Sequence, residues 1–202
     1  MAVPLMFQPL VKYVQFEGRS RRSEFWLWVL FRFILSQVLA AIALAFIGPL
    51  FAQLASHPET INAHPDVFFQ NYMQTWLRVA PLFSLVSLGL LLPSLAVGVR
   101  RLHDINRTGW WLIMPYVVMI VGVTVFFIVC GAEIFAAAGH GGAPSSADGT
   151  KAALTIVGSM FLCIFAPFLI SGIVMLIFFV TEGTKGANRF GPDPKAPGAE
   201  IF

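Results

Sequence analysis

Four long apolar runs, separated by short stretches crowded with charge and turn residues, set the pattern of this chain. Phe33–Ser56 holds no charged residue, and its run begins earlier, near Trp26, with Arg32 inside it. Val79–Val99, Thr108–Ala132 and Ala152–Thr181 are also free of Asp, Glu, Lys and Arg. About 20 apolar residues make one helical crossing of a bilayer core. The pattern therefore predicts four spanning helices, at about residues 26–50, 79–99, 109–132 and 153–180. Gly48-Pro49, Arg100-Arg101, a Gly-rich stretch and Glu182-Gly183 punctuate their ends.

Outside the runs, "FQPLVKYVQF" places Phe7, Leu10, Val11 and Val14 at i, i+3, i+4, i+7, with Lys12 on the other side. That spacing predicts an amphipathic helix over about residues 5–17, lying in the membrane interface. Residues 57–76 and 133–151 read as outward loops and 182–202 as a tail. No long-range repeat of the kind that marks inverted-repeat transporters is visible. The whole chain, 1–202, reads as a single membrane domain.

Composition agrees with this picture. The chain has 202 residues, 57% hydrophobic and 11% charged, with 20 Phe and 5 Trp, and a mean hydropathy of +0.79. Soluble domains carry about 25% charged residues, so lipid is the solvent for much of this surface. Lys12, Arg19, Arg21 and Arg22, then Arg100, Arg101 and Arg107, then Lys185, Arg189 and Lys195 would share one face. By the positive-inside rule that face, with both termini, is cytoplasmic. A cleaved signal peptide competes for the first span, but late basic residues, Arg32 and the length of the run favour an uncleaved helix. The fold class is all-α integral membrane: four transmembrane helices in a bundle, an N-terminal interfacial amphipathic helix, and cytoplasmic termini. A net charge of +3 gives no reason to expect nucleic acid. Cys130 and Cys163 sit within apolar runs, where small core residues are the default.

Three charged segments converge on the cytoplasmic face: "FEGRSRRSEFWLW", "RRLHDINRTGWW" and "TEGTKGANRFGPDP". Their distinctive residues are Gly18-Arg19 with Arg22, Glu24 and Trp26; Arg101-Leu102-His103-Asp104 with Gly109-Trp110-Trp111; and Gly183-Thr184 with Gly186, Asn188 and Gly191-Pro192-Asp193-Pro194. In this order around apolar spans they resemble the bacterial inner-membrane family catalogued as domain of unknown function 805, over about Phe16 to Pro194. The resemblance implies an inner-membrane helical bundle and no particular activity. The outward loops look longer than the family pattern requires.

Physically, Arg100 and Arg101 end the second span at headgroup depth, where a basic residue contributes about 1 kcal/mol toward an anionic leaflet. Asn106–Gly109 is turn chemistry, with Gly109 free to adopt φ > 0. Trp110 and Trp111 open the third span as interfacial rings. His103-Asp104 is the part that a simple hinge does not require. An acid among basic residues suggests a network, with Glu24 and Arg22 or with Lys185 as its other members. Glu24, Trp28 and Arg32 follow at i, i+4, i+8, and Arg32 would lie about 9 Å inside the first span. It either snorkels to the headgroups or faces the bundle to hold an anion or acid. Ser94 and Gly98 offer a small-xxx-small contact.

The candidate cytoplasmic network or anion site is thus Arg19, Arg22, Glu24, Arg32, Arg100, Arg101, His103, Asp104, Arg107, Trp110, Trp111, Lys185, Asn188, Arg189 and Asp193. No catalytic residue, metal ligand or cofactor is expected. His57, His64 and His140 match no closed metal-site spacing.

The favoured reading is a non-catalytic membrane protein whose basic face binds anionic phospholipid headgroups or a partner protein, which would be another membrane protein or a second copy. A small transporter or channel for an anionic or small polar solute stands second. Pro93, Pro115 and Pro167 would break its helices, but no Asp or Glu lies deep in a span to carry protons. A lipid-phosphate enzyme using His103 and Asp104 stands third, because adjacent helical residues seldom point together.

Overall fold

The computed structural model describes residues 3–56, 65–139 and 154–196. A 3-10 turn (Leu5–Phe7) leads into α1 (Gln8–Val11), followed by α2 (Arg22–Ser56) and α3 (Pro65–Asp104). A second 3-10 turn (Gly109–Ile113) opens α4 (Met114–Gly139), and α5 (Leu154–Val180) contains one π turn (Phe161–Phe165). Among the described residues no strand occurs. Arg22–Gln53, Asp66–Asp104, Gly109–Gly131 and Leu154–Val180 are each long and apolar enough to cross a membrane. The chain divides into two compact units, Met1–Arg100 and Arg101–Phe202.

Several boundaries differ from the sequence pattern. Residues 65–76, expected in an outward loop, form the first turns of α3. Pro65 starts that helix, where its missing N–H costs nothing, and Asp66 suits the positive end of the helix dipole. Gln70, Asn71, Gln74 and Arg78 interrupt the apolar count there but do not break a helix. Arg78 and Arg100 stand about 33 Å apart along α3, close to one hydrocarbon thickness. Gly48-Pro49 does not end α2, which runs on to Ser56. Residues 133–139 continue α4. The N-terminal helix is shorter than expected: after Val11 the chain turns at Lys12–Val14. His57, His64 and His140 lie outside the described residues.

Arg100 to Asp104, read as part of a hinge loop, belong to the last turns of α3. The helix stops because Asn106 adopts φ 58°, the left-handed conformation that Asn tolerates better than most residues. Asn106 N–H then donates to the His103 carbonyl at 3.0 Å and Arg107 N–H to the Leu102 carbonyl at 2.9 Å. That is a Schellman cap, which satisfies the orphan carbonyls of the final turn. Asn106, and not Gly109, supplies the positive φ.

Proline shapes each unit in a similar way. In the first, Pro93 has no N–H to offer the Gly89 carbonyl four residues earlier. The Tyr13 hydroxyl donates to that carbonyl at 2.5 Å, replacing the missing helical bond from 76 residues away. In the second, Pro167 deprives the Cys163 carbonyl of its helical donor, next to the π turn in α5. This carbonyl abuts Gly122 of α4 so closely that an added Cβ would overlap it. Helix interiors tolerate proline in lipid when neighbours meet the freed groups, as Tyr13 does for Gly89. Cys130 and Ser159 pair near the same helix contact, Sγ to Oγ 3.6 Å.

The buried set is unusual for a soluble protein. In the first unit Trp28, Ala96 and Val97 are buried along with Arg100 and Glu24, and in the second Leu102 is buried along with Arg101 and Asp104, while many Phe, Leu, Ile and Val side chains are exposed. Apolar outside and paired polar groups inside is the arrangement a lipid solvent favours.

Candidate functional site

The charged motifs build two clusters, one in each unit. In the first unit, Gly18 takes φ 85° and turns the chain into α2. Ser20 N–H donates to the Arg100 carbonyl at 3.1 Å. Glu24, in the first turn of α2, meets Arg100 with Oε1 3.2 Å from Nη1. Arg100 Nε also donates to the Ala96 carbonyl at 3.4 Å, and its side chain is only 1% exposed. Two buried charges repay their desolvation only when paired this closely. One helical turn further along α2, Trp28 Nε1 donates to Ser94 Oγ at 3.1 Å, which in turn donates to the Leu90 carbonyl at 2.5 Å. The numbering rises along α2 as it falls along α3, so the two helices are antiparallel here.

Arg19 is buried and Arg22 half-buried, whereas Arg32 is exposed on the flank of α2. The stripe expected through Glu24, Trp28 and Arg32 therefore stops at Trp28. Eight helical steps turn a residue about 80° away from the first. Phe7 packs edge-on against Phe31, centroids 5.4 Å apart, and holds the N-terminal segment along α2. Burial, the largest influence, lowers the Lys12 ammonium from its ordinary pKa; Glu24 opposes that shift and Arg100 adds to it.

In the second unit, Arg101 is the centre. Nη1 donates to Asp104 Oδ2 at 2.6 Å, Nε and Nη2 to the Phe179 carbonyl at 3.2 and 3.1 Å, and Nη2 also to the Thr181 carbonyl. These carbonyls end α5, where the helix dipole is negative and no helical donor remains. The Asp104 carboxylate packs on Gly183, where an added Cβ would overlap it; this close approach explains the glycine. Thr184 then returns two bonds to the Asp104 carbonyl, from N–H at 2.8 Å and from Oγ1 at 3.2 Å. Asn188 Nδ2 donates to the His103 carbonyl and to Thr184 Oγ1, both at 2.9 Å. The His103 ring lies flat on Phe190, centroids 3.9 Å apart and planes 3° from parallel. His103 and Asp104 thus leave α3 toward different partners.

Around this core the basic residues are open. Arg107 is exposed, its Cζ 5.7 Å from the Trp111 ring centroid and 5.4 Å from that of Phe178. Trp111 and Phe178 themselves meet edge-on at 5.3 Å. Trp110 is 77% exposed. Arg189 is exposed, with Nη2 donating to the Asn106 carbonyl at 3.1 Å and Cζ 4.6 Å from the Phe190 centroid. Lys185 is exposed as well. Asp193 organises the tail, accepting from Gly186 N–H at 3.0 Å and from Lys195 N–H at 2.9 Å.

Arg100 and Arg101, expected at headgroup depth in a charged network or anion site, are buried in ion pairs with Glu24 and Asp104. The candidate site read from the sequence left out Tyr13, Thr181, Gly183, Thr184 and Phe190, although Gly183-Thr184 was among the distinctive motif residues. Four of them stand inside the quoted third motif, where Gly-Thr and Arg-Phe were the available signal. Among the described residues, no group of three His, Cys, Asp or Glu side chains is placed to hold a metal.

Four apolar helices with charged networks gathered at their ends define a multi-pass helical membrane protein. The chain belongs to the family described as Protein of unknown function (DUF805), whose model matches residues 13–139. It is similar to the inner membrane protein YhaI of Escherichia coli strain K12, 27% identical over 186 residues, covering 92% of this chain and 91% of the relative. It is also similar to the inner membrane protein YhaH of the same strain, 24% identical over 189 residues, with 92% of each chain covered. No solved structure matches the chain. The protein resides in the bacterial inner membrane, which it crosses several times.

Proposed function

We propose that this is a non-catalytic inner-membrane protein whose basic cytoplasmic face binds anionic phospholipid headgroups. Its four helices form a bundle with both termini cytoplasmic. The N-terminal segment lies in the interface, its Phe7, Leu10, Val11 and Val14 side chains exposed to acyl chains.

One observation carries the reading: the Arg107 guanidinium is exposed, rests on the Trp111 and Phe178 rings, and has no acidic partner among the described residues. An arginine held on aromatic faces keeps its donor edge available to phosphate oxygens, and Trp rings at a helix entrance favour headgroup depth. By contrast, Arg100 and Arg101 are buried and ion-paired within the protein, with Glu24 and Asp104 respectively. The His103 ring stacked on Phe190 and the Asp104 carboxylate on Arg101 favour structural roles for both over the enzyme reading.

The test is lipid retention by native mass spectrometry, with delipidated protein titrated with phosphatidylglycerol or phosphatidylcholine. Phosphatidylglycerol should be retained preferentially, and Arg107→Gln should weaken it about fivefold, the effect of one basic residue near an anionic surface. Equal retention of the two lipids by the wild-type protein would sink the proposal.

A further inference from the structure

We infer that Arg107 and Arg189 form a two-arginine site selective for a dianionic phospholipid, one carrying two phosphates in a single molecule. The inference rests on the phospholipid reading above and specifies its site and ligand class. Both arginines meet at one turn. Arg189 Nη2 donates to the carbonyl of Asn106 at 3.1 Å, and that carbonyl belongs to the peptide leading directly into Arg107. Asn106, in the left-handed conformation, ends α3 here, and the next residue, Arg107, lies over the Trp111 and Phe178 rings.

Each guanidinium is oriented by an aromatic face: Arg107 by Trp111 and Phe178, and Arg189 by Phe190 at 4.6 Å. Each side chain is exposed, and neither is paired with an acid among the described residues. The acids nearest in sequence are engaged: Asp104 by Arg101 at 2.6 Å, and Asp193 by two backbone N–H groups. The turn therefore presents two positive charges whose complement is two negative ones. Planar forks already oriented on rings lose little rotamer freedom when they bind phosphate oxygens. Trp110, 77% exposed and next in the chain to Trp111, supplies an apolar ring for the glycerol and upper acyl region of a bound lipid. A soluble phosphate would gain nothing from that ring, so the site is assigned to lipid.

The experiment uses the full chain in nanodiscs matched for total negative charge, with cardiolipin as the dianionic lipid and phosphatidylglycerol as the monoanionic one. Native mass spectrometry after release reads the retained lipid. At matched charge the wild-type protein should retain cardiolipin at least about tenfold over phosphatidylglycerol, and Arg107→Gln or Arg189→Gln should each lower cardiolipin retention further than phosphatidylglycerol retention and so reduce that ratio. Arg107→Lys keeps the charge but loses the fork and should lower the ratio too. Lys185→Gln removes one charge from the same face and should lower total anionic retention without changing the ratio. Equal retention of the two lipids by the wild-type protein, with both still preferred over phosphatidylcholine, would overturn the two-arginine site and leave the general reading standing. Loss of any preference over phosphatidylcholine would overturn both. Displacement of cardiolipin by soluble pyrophosphate at equal concentration would overturn the lipid assignment.

Discussion

Asp104→Asn is the substitution that most directly probes the second cluster. The side chains of Arg101 and Asp104 are 0% and 4% exposed, with 2.6 Å between Nη1 and Oδ2, so the carboxylate charge balances a guanidinium that water does not reach. Removing one member of a buried pair costs about 3–5 kcal/mol. Here the lower end is expected, about 3 kcal/mol, because Asn keeps an acceptor and the bonds to the Phe179 and Thr181 carbonyls persist. Arg101→Met should cost as much or more, since it strands both the carboxylate and those carbonyls. The double variant leaves no unbalanced charge and should cost about 2–3 kcal/mol less than the sum of the singles. Tryptophan fluorescence during sodium dodecyl sulfate titration of mixed micelles reads all four proteins. Additivity within about 0.5 kcal/mol, or an Asp104→Asn protein as stable as wild type, would refute the reasoning.

Tyr13→Phe leaves the Gly89 carbonyl without the donor that replaces Pro93, and should cost about 1–2 kcal/mol. Pro93→Ala restores a helical N–H and should make the Tyr13→Phe change nearly neutral, whereas an undiminished cost in that background would show that the hydroxyl does not stand in for the proline. Gly122→Ala should lower the unfolding temperature by forcing α4 off the Cys163 carbonyl, an overpacking cost of about 1–3 kcal/mol, while Gly131→Ala, which meets nothing within 4 Å, should not. Lys12 has a folded-state pKa below its ordinary value, so its favourable contribution exists above the ordinary lysine pKa and is lost as pH falls through the lowered one. At pH 7 the charged form is therefore a net cost, and Lys12→Met should melt no lower than wild type, with any gain shrinking as pH rises toward 10.5. A lower melting temperature for Lys12→Met at pH 7 would contradict the burial of that ammonium.

The spans were legible because hydrocarbon demands about 20 apolar residues in a row, and composition alone displays such runs. The turn after α3 was legible too, although the sequence favoured Gly109 for the positive φ that Asn106 adopts. The first turns of α3 were not, since Gln70, Asn71, Gln74 and Arg78 look like loop residues until Pro65 and Asp66 are seen to start a helix. The N-terminal periodicity overestimated a helix that ends at Val11, where Tyr13 reaches the Gly89 carbonyl instead.

The sequence by itself determined that the chain lives in a membrane, how many times it can cross, and which three motifs crowd the helix ends. Only the tertiary structure decided which arginines are buried and which are exposed. In lipid, the faces of a helix that meet neighbours and those that meet acyl chains are equally apolar, so periodicity does not reveal where a helix packs. Arg100 and Arg107 look alike as residues of one basic segment. Glu24, from 76 positions earlier, takes the first into the interior, and the ring of Phe178, from 71 positions later, holds the second at the surface.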